Sequence, residues 1–415
     1  MMKLHAPSRR GLLLASGTLF AWAYLPKLAR AEGRDPRFLT IVLRGALDGL
    51  ATVAPIGDPD WVSLRGDDAL TLDGKVPALK LDDFFALNPA MPNLHRMFKA
   101  NEALIIHAAA TSYRERSHFD GQDVLESGFE KPGATSSGWL NRMLVDLAPE
   151  DRVSSNGGKA FAVGPVTPLV VRGPAPVLPW SPQRTLPASD DTITRLLDLY
   201  RHTDVKFARV LEGRTRLAAI ALTGGMEEKP GGQISDSYLA QLRSYYSEAV
   251  GTAAKFLAQP AGPRVGALAL DGWDTHYNEG IGTGQLAQLL GALDAALAAA
   301  QENMGPAWRE TVVVLVTEFG RTARINGTHG TDHGTATVVL LAGGALKGGR
   351  VIADWPGLKA ANLLENRDLK PTIDVRGVLK GLLKDHLRAD DHVLVANVFP
   401  GSDAVTPIAG LVASV

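Results

Sequence analysis

"TVVVLVTEFGRTARINGTHGTDHGTATVVLLA", residues 311–342, opens and closes on a run of branched apolar residues and crowds charged and coordinating groups between them. TVVVLVT (311–317) and ATVVLLA (336–342) show no polar alternation. That is the pattern of strands buried on both faces of a parallel sheet. RFLTIVL (37–43), ALIIHA (103–108) and RVGALAL (264–270) share it. Helical patterns lie between the runs. In GQLAQLLGALDAALAAAQENM (284–304), Leu286, Leu289, Leu290, Leu293 and Leu297 make one apolar stripe. Strand and helix in alternation predict an α/β fold, a mostly parallel sheet sandwiched by helices. In such sheets functional groups gather on the loops leaving the carboxyl ends of the strands.

The first 31 residues read as an export signal. Arg9 and Arg10 in SRRGLLLASG precede an apolar run that ends in the small residues Ala29-Arg30-Ala31. This is the layout of a twin-arginine signal peptide with a cleavage site. The apolar core is short for a membrane span and is interrupted by Gly17 and Pro26. The expected mature protein therefore begins near Glu32, has no stable membrane span, and is periplasmic or extracellular. Beyond the signal the chain carries 38 basic against 44 acidic side chains. A nucleic-acid partner would call for the opposite sign. The sequence has no cysteine, so in an oxidising compartment an apolar core rather than disulfides must hold the fold.

The middle of the chain differs in texture. GPVTPLVVRGPAPVLPWSPQRTLP (164–187) is rich in proline and glycine, and helical stretches follow around 190–222 and 235–258. The expected organisation is one domain over 32–415 with a Pro/Gly-rich and helical insertion at about 150–260. The phosphate-binding loop, dinucleotide glycine fingerprint, nucleophile elbow and HExxH zinc helix are all missing from the sequence.

Chemistry-bearing residues follow each strand. Asp48 comes after the first, Ser117, His118, Asp120 and Asp123 after the second, and Asp271, Asp274 and His276 after the third. Glu318 and Arg321 come after the fourth, followed by His329, Asp332 and His333. Each has an ordinary structural reading: Asp48 as a turn residue, Ser117 with Asp120 as a helix cap, Asp274-Thr-His276 as an Asx turn, Arg321 as a solvated charge. Their recurrence at the ends of successive strands points instead to a metal or catalytic site. Carboxylates with neutral imidazoles suit Zn²⁺ or Mn²⁺, and carboxylates alone would suit Mg²⁺ or Ca²⁺. The glycines of 318–334 let the backbone turn sharply enough to bring such groups together.

RGALDGL, RSHFDGQD, GWDTH, TEFGRT, GTDHG and LLAGGALKGGRV together resemble a large group of twin-arginine-exported bacterial proteins of unknown function within the alkaline phosphatase and sulfatase superfamily. The resemblance runs over nearly the whole mature chain. It implies an alkaline phosphatase-like fold with metal ligands at strand ends. Position by position, it implies Asp48 as a first-strand ligand, Ser117 as nucleophile, Asp274 and His276 as one metal's pair, and Glu318 and His333 as later ligands. Phe319 stands where the family pattern has an imidazole, which His329 or Asp332 would then replace. Ser117 is followed by HFDG and not by the proline and arginine needed to mature a formylglycine, which argues against a sulfatase of that type.

The expected function is that of an exported metal-dependent hydrolase of phosphate or sulfate esters, or of a related cell-envelope substrate. Asp48, Asp274, His276, Glu318, Asp332 and His333 would bind metal, and Ser117 and Arg321 would act on an anionic small-molecule or envelope substrate. The alternative is a non-catalytic exported protein that binds metal or ligand and assists envelope assembly. The export machinery is the expected partner in either case.

Overall fold

Residues Arg37–Arg44 form a strand, β1, buried along all but its last position. The rest of β1 alternates between two cores. Leu39, Ile41 and Leu43 join a cluster with Leu242, Leu286 and Trp273, whereas Phe38 and Val42 join one with Trp139, Val314 and Leu382. A strand with a core on each side has no solvent face, which is why the run shows no polar alternation. The structure is a computed structural model that describes residues 34–147, 160–181, 199–200, 236–260 and 262–413.

The other strands, in chain order, are β2 (Val53–Ala54), β3 (Leu79–Lys80), β4 (Ala86–Leu87), β5 (Ala103–Ala110), β6 (Ala160–Val163) and β7 (Val177–Trp180). They continue as β8 (Val265–Asp271), β9 (Thr311–Val316), β10 (Thr337–Ala342), β11 (Arg350–Ile352) and β12 (Ile373–Asp374). The main sheet has the order β11-β5-β10-β9-β1-β8-β6-β7, with β12 also paired to β5, while β2, β4 and β3 make a small separate sheet. Helices cover both faces. Gln285–Met304 buries Leu286, Leu289, Leu290, Leu293 and Leu297 against the first core, and Val375–Leu387 buries Val378, Leu379, Leu382 and Leu383 against the second. This is the expected mostly parallel α/β sheet.

All five apolar runs are strands of this sheet, but they do not share one direction. β1 pairs in parallel with β8 and β9, whereas β10 is antiparallel to both β9 and β5. The reason lies in the connection. Parallel neighbours need a crossover, usually a helix, and residues 317–336 between β9 and β10 contain none. The chain therefore turns back beside the strand it has just left. The functional consequence is direct. β1, β5, β8 and β9 end at one edge, and β10 begins there, so both ends of the 317–336 loop lie at the carboxyl edge of the sheet.

Of the stretch at about 150–260, β6 and β7 extend the main sheet beside β8, and the helix Asp236–Ala258 packs on Gln285–Met304. The signal segment 1–31 and most of the helical stretch expected at 190–222 lie outside the described residues. Among the described residues no helix is long and apolar enough to cross a membrane.

Candidate metal centre

At the carboxyl edge four side chains converge. His118 is the first residue of the helix His118–Ser127 that follows β5. Asp274 and His276 lie on the loop after β8, and His333 lies just before β10. His333 Nε2 is 2.9 Å from His118 Nε2, 2.9 Å from His276 Nε2 and 3.2 Å from Asp274 Oδ1. Asp274 Oδ1 is 3.0 Å from His276 Nε2, and Asp274 Oδ2 is 3.5 Å from His118 Nε2.

The partners behind these rings fix which nitrogen faces inward. His118 Nδ1 donates to Glu318 Oε1 at 2.7 Å, and His333 Nδ1 donates to the Arg116 carbonyl at 3.0 Å. A carbonyl or carboxylate oxygen only accepts, so each Nδ1 carries a hydrogen and each Nε2 is the atom turned to the cluster, with a lone pair to offer when its ring is neutral. Two such lone pairs 2.9 Å apart repel unless a proton or a cation stands between them. The ligand atoms of His118, Asp274 and His333 form one group, with separations of 2.9, 3.2 and 3.5 Å that two bonds of about 2 Å to one ion would span. Imidazole nitrogen with one carboxylate is the donor set of Zn²⁺ or Mn²⁺ rather than Mg²⁺ or Ca²⁺. The residues fit a divalent ion.

Electrostatics agree with the geometry. Burial opposes charge on His118, but hydrogen bonds to Asp274 and Glu318 overcome it and raise its pKa to about 9. Burial likewise opposes ionisation of Asp274, yet the three histidines and Arg321 hold it well below the usual carboxylate range. His333 goes the other way, lowered by burial against the pull of Asp274, as suits a neutral ligand.

Glu318 stands one layer back. It is buried, and its Oε1 accepts from His118 Nδ1, from Gly45 N (2.9 Å) and from Gln122 Nε2 (2.9 Å). Burial pushes its pKa up, but the hydrogen bond and charge of His118 and the hydrogen bond from Gln122 bring it down to about 2. Phe319 packs its ring against His118 and His333 at 5.1 and 5.3 Å between centroids. Asp332 sits 3.5 Å from His276 Nδ1 and accepts from Asn326 Nδ2 at 3.2 Å. His329 is exposed at the loop tip.

Arg321 differs from its expected posture toward a substrate. Its side chain is wholly shielded from solvent, with Nη2 2.8 Å from Asp274 Oδ1. That contact lies off the hydrogen-bonding direction, and both Nη2 and Nε lack a hydrogen-bond partner. Asp48 is also held apart from the cluster. Arg65 grips it through Nη1–Oδ2 at 2.8 Å and Nη2–Oδ1 at 3.2 Å, and Ala51 N–H donates to Oδ1 at 3.0 Å. Ser117 occupies the N-cap of the helix that begins at His118, but its hydroxyl makes no cap hydrogen bond.

Local backbone explains how these groups arrive. Gly330 lets the loop tip lie on the His276 peptide, because a Cβ there would stand 2.3 Å from the His276 carbonyl. Arg116, a non-glycine residue at φ 61°, turns its carbonyl to His333 while its guanidinium is anchored by Asp368 and Glu365. The ligand that sequence reasoning passed over is His118. It stands beside Ser117 in RSHFDGQD, at the start of the helix that follows β5, and its place in that loop-to-helix stretch was the available signal.

A family profile described as "Protein of unknown function (DUF1501)" matches residues 76–398. The chain belongs to this family. No match was found among curated proteins. Similar solved structures include an alkaline phosphatase superfamily protein from Vibrio parahaemolyticus, 12% identical over 78% of this chain, with a TM-score of 0.33. The chain spans 64% of that protein's length. The PsFucS1 sulfatase from Pseudoalteromonas sp. is 13% identical over 83% of this chain and 68% of its own, with a TM-score of 0.34. The C-terminal periplasmic domain of EcEptC from Escherichia coli, in complex with Zn, is 13% identical over 77% of each chain, with a TM-score of 0.30. At such scores these neighbours decide nothing about what this family member does.

Proposed function

We propose that this member of the family is an exported metal-dependent hydrolase of phosphate or sulfate esters, or of a related envelope substrate. One observation carries the reading: His118, Asp274 and His333 present their ligand atoms to a common point, with His276 Nε2 beside them. These residues would hold one divalent ion. When bound, it would activate a hydroxyl or water for attack and offset charge on the ester oxygens.

The chain's own groups would do the rest. Glu318 keeps the His118 ring in one orientation through Nδ1, and the Arg116 carbonyl does the same for His333. Ser117, whose hydroxyl is not spent on capping, is the nucleophile candidate. It lies at the N-terminus of a ten-residue helix, where backbone N–H groups and the helix dipole favour an anionic group. Arg321, behind Asp274, would counter the site's negative charge rather than reach the substrate. Asp332 would steady His276 from its Nδ1 side. The segment with Arg9 and Arg10 would direct export.

The deciding experiment is turnover of chromogenic phosphate and sulfate monoesters by the metal-loaded mature protein and by Ser117→Ala. Turnover abolished in the variant with metal retained is the expected result. Metal bound without turnover of either ester by the wild type would favour the non-catalytic binding protein.

A further inference from the structure

The other buried charge cluster at this edge surrounds Asp48, and it bears on how many ions the protein holds. Asp48 and Arg65 are 1% and 0% exposed in their side chains. Two guanidinium nitrogens and the Ala51 amide occupy both carboxylate oxygens. Arg65 is itself held in place from the far side: its Nε donates to the Ala323 carbonyl at 2.8 Å, and its Nη2 lies 3.3 Å from the Thr322 carbonyl. Both carbonyls belong to the 317–336 loop that also carries His333. The guanidinium thus joins the loop after β1 to the wall of the site.

We propose that Arg65 takes the place of a second cation, so that the protein binds a single divalent ion, at His118, Asp274 and His333, and none at Asp48. This rests on the reading of the histidine cluster as a metal centre. Charge matching supports it. Two carboxylates at this edge already face a guanidinium: Asp48 faces Arg65, and Asp274 faces Arg321. A second ion beside Arg65 would meet a fixed positive charge with its anion already taken, and ion burial without a matching anion is strongly disfavoured. Glu279 does not supply that anion freely, since its two oxygens already accept from the Thr275 and Thr331 hydroxyls at 2.9 and 3.1 Å.

The test is metal content. Mature protein stripped by chelator is loaded with Zn²⁺ or Mn²⁺, desalted, and its ion-to-chain ratio is measured by mass spectrometry. The same is done for His118→Ala and for the double variant Asp48→Asn/Arg65→Gln, which removes both charges but leaves groups able to hydrogen-bond. One ion per wild-type chain, lost in His118→Ala and kept in the double variant, is expected. Two ions per wild-type chain would overturn the inference while leaving a metal centre in place, and so would loss of the ion in a folded double variant. No ion in the wild type, or one unaffected by His118→Ala, would remove the metal reading itself and this inference with it. Should the double variant fail to fold, the wild-type ratio decides alone.

Discussion

Replacing Glu318 separates a residue that orients a ligand from one that is a ligand. Its carboxylate accepts from His118, Gly45 and Gln122 in a site closed to solvent. Glu318→Ala strands those three donors and removes the charge facing His118. An orphaned buried donor costs about 1–3 kcal/mol, and breaking a buried charged pair costs about 3–5 kcal/mol. The two figures describe overlapping losses, so about 4 kcal/mol is expected, read from denaturant unfolding of the metal-free protein. Glu318→Gln keeps an acceptor oxygen for the same donors and loses only charge, so its cost is expected at about 1–2 kcal/mol. Metal affinity in the Gln variant should fall about 10–100-fold, the usual effect of removing the carboxylate behind a histidine ligand. Competition against a chromogenic chelator measures it. Affinity unchanged in Glu318→Gln would refute the orienting role. Complete loss of binding in a folded variant would instead make Glu318 a direct ligand, as its place after β9 first suggested.

Three further outcomes are expected. In chelated protein, His118 is raised from 6.5 to about 9, so its stabilising contribution is full below pH 6.5 and is lost as pH rises through about 9. Glu318 is lowered from 4.5 to about 2, so its contribution is full above pH 4.5 and is lost as pH falls through about 2. Denaturation midpoints should therefore decline from pH 6.5 to 9 without metal, and a flat profile there would count against the His118 pairing. Gly45→Ala should cost about 3 kcal/mol and weaken metal binding; φ is +119° there and a Cβ would stand 2.6 Å from Asp274 N. Thermal unfolding within a degree of wild type would contradict that. Replacing Arg9 and Arg10 together by Lys should leave the full-length chain in the cytoplasm, and undiminished export on cell fractionation would exclude the twin-arginine route.

Five strands, β1, β5, β8, β9 and β10, were legible because burial on both faces leaves a short, branched apolar run. Direction was not legible in the apolar runs, since a reversed strand such as β10 reads like its neighbours. The information sat in the connection, where 317–336 shows no helical period. The site was legible where a residue follows a strand end closely, and Asp274, His276 and His333 do come together. The pairing of Asp48 was not, because Arg65 lies on a separate short helix and nothing in its local sequence marks a partner 17 residues back. His118 and Ser117 were both visible, and sequence alone did not say which of the two side chains turns into the cluster.

The tip of the 317–336 loop gives the site an adjustable member. Asn326 Nδ2 and Thr328 Oγ1 both donate to the His276 carbonyl, at 2.9 and 2.8 Å. His118 and His333 are held by groups near the ends of strands, but His276, the most exposed of the three at 42% of its side chain, is held by this clasp. Lengthening the tip would cost little in chain entropy, about 0.6 kcal/mol for each doubling, and both roots of the loop would stay anchored at the sheet edge. Insertions there would retune one imidazole while sparing the others, so relatives that differ in tip length would carry the same two fixed ligands and a third set to a different reach.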